Sequence, residues 1–245
     1  MTTTYDFQDG NGPVPAHQHS NGGGWVADTA KVHETAYIGP DAKVFGNAEV
    51  IDYAKVDGNA KVSGHAKVSD YAKVYNDVVI FGAVKVSGNA RVFGDAKLFN
   101  SAWVSGHAKV FGNAEMSDYA SVYDTAFISD NAKVFGSARV FGDAKVSDYA
   151  KVYSNAEVYS NAEVSGNARV TGNAKVYGNA IVTGNASVYD NAKVFGNATI
   201  YESRFIDKPK ISQWLQSVSI IESIPIMKLA IGSGVRSVIR FIIRS

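Results

Sequence analysis

From Val26 to Ile200 the chain places a branched or long aliphatic residue at every sixth position, thirty in succession without an insertion, and twenty-four of them are valine. Two places earlier, between Ala30 and Ala198, twenty-seven of twenty-nine positions are alanine, with Val78 and Val84 the exceptions. A small and a branched apolar residue thus alternate with outward ones, and alternation of period two marks a strand with one buried side. In "NAKVYG" the predicted strand is Ala174 to Tyr177. Two places after the aliphatic residue, twenty-five of thirty positions are Gly, Asp or Asn. These residues enter the left-handed backbone region at least cost, so the pattern predicts a sharp corner in every hexad.

Reversing the chain in every hexad would leave thirty aliphatic side chains without a common inside, whereas a coil that keeps turning one way provides one. A single hexad buries about one Val and one Ala, roughly 2 to 3 kcal/mol of transfer free energy. Ordering each of its six backbones costs about 1 kcal/mol or more. One hexad cannot fold alone, and stability has to come from stacking coil on coil. The unit V-x-G-N-A-x, as in Val164 to Arg169 and Val170 to Lys175, resembles the hexapeptide repeat of the bacterial transferase hexapeptide family, and the resemblance runs from residue 26 to about 202. It implies an all-β, left-handed parallel β-helix with three hexads to a triangular coil. That gives about ten coils of three hexads each, a prism roughly 50 Å long at a strand spacing of about 4.8 Å.

Sorting outward residues by coil shows what each face would carry. The residue before the inward aliphatic is Lys or Arg at seventeen of twenty-nine positions, divided six, six and five among the faces, with aspartates at the corners. With 24 Lys and Arg against 23 Asp and Glu, the net charge is +1. No face is a basic stripe, which argues against nucleic acid as a partner. The residue after the aliphatic is mostly Ser, Thr, Phe or Tyr. Tyr123, Phe141, Tyr159, Tyr177 and Phe195 fall on one face of five successive coils, and Ser105, Ser87 and Ser69 hold that column further toward the N-terminus. The rings read either as a structural ladder, at about 0.2 to 1 kcal/mol per pair, or as a contact strip for another copy or another protein. The resemblance implies trimers packed side by side. A sugar or polymer surface built on the tyrosines is a further alternative. An ice-binding face would need paired threonines beside the inward residue, where lysine dominates.

The absence of cysteine excludes disulfides, thiolate metal sites and a cysteine nucleophile. The resemblance also implies an activity, since many hexapeptide-repeat proteins move an acyl group from coenzyme A or an acyl carrier with a histidine base. His65 and His107 are then the candidate bases, acetyl coenzyme A the cosubstrate, and histidine titrates in the range a general base needs. Both occupy ordinary corner slots, separated by two coils and one face, so they stand on different corners. No loop interrupts the hexads and Val and Ala fill the inside, which favours a non-catalytic scaffold or interaction module that needs no cofactor. His33 with these two lacks the spacing of a three-histidine zinc site, and the His17, His19 pair lacks a third ligand.

Residues 1–24, including most of "DGNGPVPAHQHSNGGGW", predict a loop-like cap with Tyr5, Phe7 and Pro15 over the first coil. This preamble ending in "GGWV" resembles that of phage, prophage and enterobacterial family members. Residues 203–245 abandon the beat for a basic, partly helical tail. Trp214, Leu215, Val218, Ile221 and Ile224 have helical spacing, Pro225 breaks it, and Arg236, Arg240 and Arg244 share one helical face. The tail reads as a cap or trimerisation segment, as an amphipathic helix on an anionic membrane, or as the product of a frameshift. Residues 1–24 lack the basic start and apolar run of a secretion signal, and no run of about 18 apolar residues is present. The expectation is a cytoplasmic protein.

Overall fold

The computed structural model describes residues 3–202; the expected C-terminal helical segment, with Arg236, Arg240 and Arg244, lies outside them. Among the described residues every regular element is a strand. From residue 25 onward each strand pairs in parallel with the third strand after it, as Lys43–Val44 does with Lys61–Val62. The strands form three sheets of twelve, ten and ten. The chain is therefore an all-β solenoid of about ten stacked parallel coils, each coil contributing one strand to each sheet. The first sheet ends at Ser187–Val188, the second at Lys193–Val194 and the third at Thr199–Ile200.

Most coil strands are short, such as Lys175–Val176, where the alternation predicts Ala174 to Tyr177. The alanine amide of this hexad stays out of the ladder. It turns back across the corner, Ala174 N–H donating to Thr171 O at 3.3 Å, and closes a tight turn over Gly172 at φ 70°. Three other amides of a hexad run to the next coil: Lys145 N–H to Ala162 O at 2.9 Å, Ser147 to Val164 at 3.0 Å and Tyr149 to Gly166 at 2.9 Å. Corner aspartates add to this. Asp148 Oδ2 accepts the Gly166 amide at 2.8 Å, Asp70 that of Gly88 at 2.8 Å and Asp118 that of Gly136 at 3.0 Å. A corner Asp thus both adopts positive φ, 57° at Asp148, and satisfies the corner amide one coil away.

Inward Val and Ala fill the prism, and from Ala36 to Val188 every one of these positions has no exposed area. Leu98, Met116, Ile38, Ile80 and Ile128 take the valine place without disturbing it. No buried side-chain nitrogen or oxygen among the described residues lacks a partner.

The N-terminal segment is more regular than its Gly-rich composition suggests. Strands β1 (Thr4–Tyr5) and β2 (Val14–Gln18) form an antiparallel hairpin, and β2 pairs antiparallel with β3 (Trp25–Ala27), the first coil strand. Tyr5 stacks on Trp25 at 4.3 Å and the buried Phe7 on Phe45 at 4.9 Å. The outer edge of β3 would otherwise be bare, and pairing it is what makes strands of a segment that reads as loop. The second coil strand is β4 (Lys31–Val32) and the third β5 (Tyr37–Ile38). The turn after β2 crosses to β5, where a Cβ on Gly24 would lie 2.2 Å from Gly39 O. Only glycine fits there.

Close stacking makes the corners sensitive to added atoms. A Cβ on Gly64 (φ 73°) would sit 2.7 Å from Gly82 N, whereas one on Gly12 (φ 72°) meets nothing within 4 Å. Gly64→Ala is expected to destabilise by about 1 to 3 kcal/mol more than Gly12→Ala. Urea denaturation of the two variants checks this, and equal losses would show that the backbone angle, not the next coil, sets the cost.

Candidate functional surface

The five aromatic residues that share a coil position form a continuous ladder on the second sheet. Ring centroids of Tyr123 and Phe141, then Phe141 and Tyr159, are 4.9 Å apart, Tyr159 and Tyr177 5.0 Å, and Tyr177 and Phe195 5.3 Å, all within 12° of parallel. The rings on Tyr123, Phe141, Tyr159 and Tyr177 are half-buried. Each inner ring has both faces covered by its neighbours, so the ladder presents edges outward. A sugar ring or a base stacks on an aromatic face, and that mode has no purchase along the inner rings of this column.

The same sorting contains further columns that the sequence reading missed. Tyr75, Phe93 and Phe111 stack on the third sheet at 5.0 and 4.9 Å, and Phe135 stacks on Tyr153 on the first at 4.7 Å. Asparagines form ladders too. Asn155 donates to Asn173 and Asn173 to Asn191, both at 3.2 Å, while Asn161, Asn179 and Asn197 do the same at 3.1 and 3.0 Å on the next corner. The abundance of Asn after the corner therefore reflects its amide, which donates to one coil and accepts from another.

Beside the aromatic ladder runs an ion triplet. Glu157 receives Arg139 on one side and Lys175, at 2.7 Å, on the other, and its side chain is only 13% exposed. The hydrogen bond from Lys175, with Arg139 adding to it, holds the Glu157 carboxyl below its ordinary value of 4.5. The same contact raises Lys175 above 10.5. Burial pushes the Tyr123 and Tyr159 hydroxyls above 10. Glu157 and Tyr159 flank the inward Val158, so ladder and triplet form a single ordered strip.

The histidines remain scattered. His65 and His107 are exposed, on the corners after the first and second sheets, and each donates its amide to the coil beyond, to Gly82 O and Asp124 O. His33 Nδ1 lies 2.7 Å from Thr35 Oγ1. His17 Nδ1 lies 2.9 Å from Asp28 Oδ1, whereas His19 receives the Asn21 amide at 3.3 Å, so the H-x-H pair engages separate partners. Among the described residues no three His, Asp or Glu side chains are grouped to hold a metal. A depression of about 450 Å³ is a groove on the outside of the prism lined by Glu115, Lys133, Tyr149, Lys151 and Arg169 among others. Neither histidine candidate lines it.

Parallel coils, a filled apolar interior and side chains displayed in columns define a β-solenoid repeat protein. Within that class the hexads at residues 174–190 match the family description "YdcK Beta solenoid repeat". A comparison with curated proteins finds no match.

The triplet gives a pH test. A carboxyl whose folded value is depressed contributes stability that is present above its unfolded value and lost as pH falls through the folded one. Glu157→Gln is expected to lower stability at neutral pH by about 1 kcal/mol or less, given its exposed partners. The gap from the unaltered protein should close as pH is lowered through the carboxylate range. Chemical denaturation across that range reads it, and a gap that does not change with pH would remove the ion triplet as its cause.

Proposed function

We propose that this protein is a non-catalytic β-solenoid scaffold, an interaction module of phage or bacterial origin that acts in the cytoplasm and uses no cofactor. Its contact strip is the column Tyr123, Phe141, Tyr159, Tyr177 and Phe195 with the Arg139, Glu157 and Lys175 triplet beside it. The observation that carries this reading is the order of that strip. Five rings and three charges are fixed at one spacing on a rigid wall, so a partner meets a surface that loses little entropy on binding. Ring edges beside paired charges match the mixed apolar and polar make-up of protein contacts better than the demands of a small-molecule pocket. A second copy of the chain, packed side by side in a trimer, is the partner we favour. Replacing Tyr159 and Tyr177 with serine together should leave the solenoid folded and reduce the mass measured in solution to that of a monomer. An unchanged mass would sink the contact assignment.

The competing reading is an acyltransferase that uses acetyl coenzyme A with His65 or His107 as base. On the scaffold reading, acetyl coenzyme A produces no saturable thermal shift of the purified protein. A saturable shift abolished by His107→Ala would replace the scaffold with the enzyme. Association with a membrane surface through Arg236, Arg240 and Arg244 is a separate proposal, and loss of binding to anionic vesicles on deleting residues 208–245 is its test.

A further inference from the structure

The N-terminal end of the prism has three sheet edges, and they are not treated alike. On the first sheet β2 pairs with β3. On the third, residues 21–24 stand in for a missing strand on β5. Asn21 Nδ2 donates to Ala36 O at 2.9 Å, Ile38 N–H to Asn21 O at 3.0 Å, and Gly24 N–H to Ile38 O at 3.0 Å. On the second sheet, β4 is the terminal strand and pairs only with Glu49–Val50. Lys31 and His33 donate their amides inward to Ala48 O and Val50 O. That leaves Ala30 O, Val32 N–H and Val32 O facing outward, and among the described residues none of the three is paired. Ala30 and Val32 are also less buried than their counterparts in the coils that follow, at the one corner of the core that the cap leaves thin.

We infer that β4 is a strand-addition site for one extended peptide segment of another polypeptide, with a branched apolar residue at its centre. Two carbonyls flanking one amide call for a segment that presents N–H, C=O and N–H along one edge. The half-exposed Val32 calls for a small or branched side chain to cover it. A whole coil of a second copy does not fit, because the places it would take over β3 and β5 are filled by β2 and by residues 21–24. The chain itself contains the matching geometry. Ala192-Lys193-Val194 repeats the sequence Ala30-Lys31-Val32, and onto its edge Lys175 donates to Ala192 O and Tyr177 to Val194 O, both at 2.9 Å. A segment like residues 173–179 is thus already seated, elsewhere in the fold, on an identical tripeptide. Lys31 does not bar it, since its charge lies 3.6 Å from Glu49.

The test uses the full chain and an acetylated, amidated peptide copying residues 173–179. In the free protein the Val32 amide is expected to exchange with solvent at least about tenfold faster than that of Ile38, which is hydrogen-bonded. Adding the peptide should give saturable NMR shifts centred on residues 30–33 and slow Val32 exchange. N-methylating the peptide at the position of Tyr177 removes the donor to Val32 O and should weaken binding about tenfold or more. N-methylation at the position of Val176, whose amide points to the other side of a parallel ladder, should leave it nearly unchanged. The inference is overturned by a Val32 amide already as slow as Ile38, by no saturable binding, or by two methylated peptides that bind alike. It is independent of the aromatic strip: protein carrying Tyr159→Ser and Tyr177→Ser should take the peptide unchanged.

Discussion

Everything in this molecule depends on backbone hydrogen bonds that tie each coil to the next at a fixed offset of three hexads. Because residue 145 donates to 162, 147 to 164 and 149 to 166, no coil can slip without breaking a bond at every corner. The offset turns sequence into columns. A residue on the outside is packed chiefly by its counterparts one coil away: ring on ring, Asn on Asn, Asp on the amide of the next corner. Such contacts are individually small. Their effect is to make the outside of the prism as ordered as the inside.

How far that order is legible in the sequence varies from column to column. The core is plain, because Val at every sixth place and Ala two earlier admit no other common inside, and the aromatic column from Tyr123 to Phe195 follows from sorting by coil. The corners are legible only in part. Positive φ explains Gly64 and Gly172, but the preference for Asp at 70, 118 and 148 depends on an amide in the following coil, which no local propensity contains. The Asn ladders and the Arg139, Glu157, Lys175 triplet are hidden for the same reason, since both are relations between residues one coil apart that look ordinary one at a time. At the N-terminus, Gly and Pro in "DGNGPVPAHQHSNGGGW" suggest loop, whereas the strands there are induced by the bare edge of β3. Tertiary pairing overrides composition.

The same logic separates the parts of the solenoid that hold it together from those free to vary. The interior is committed to packing, and histidines at ordinary corner slots are held where their hexads put them. The surface is where individuality lies. Faces of one prism differ in which residues are stacked in their columns, so any specificity resides in the choice of column and the coils over which it runs.

The aromatic columns have a phase. On the third sheet the rings run through Tyr75, Phe93 and Phe111, and on the second they resume at Tyr123, two hexads after Phe111 instead of three. One extra hexad between them would place all eight rings in a single file. A change of three hexads lengthens such an array and leaves each downstream face looking the same way, but a change of one hexad turns every downstream face by a third of a revolution. In this architecture a single-hexad indel acts as a rotation, so repeat number sets the direction in which each half of the molecule faces its surroundings.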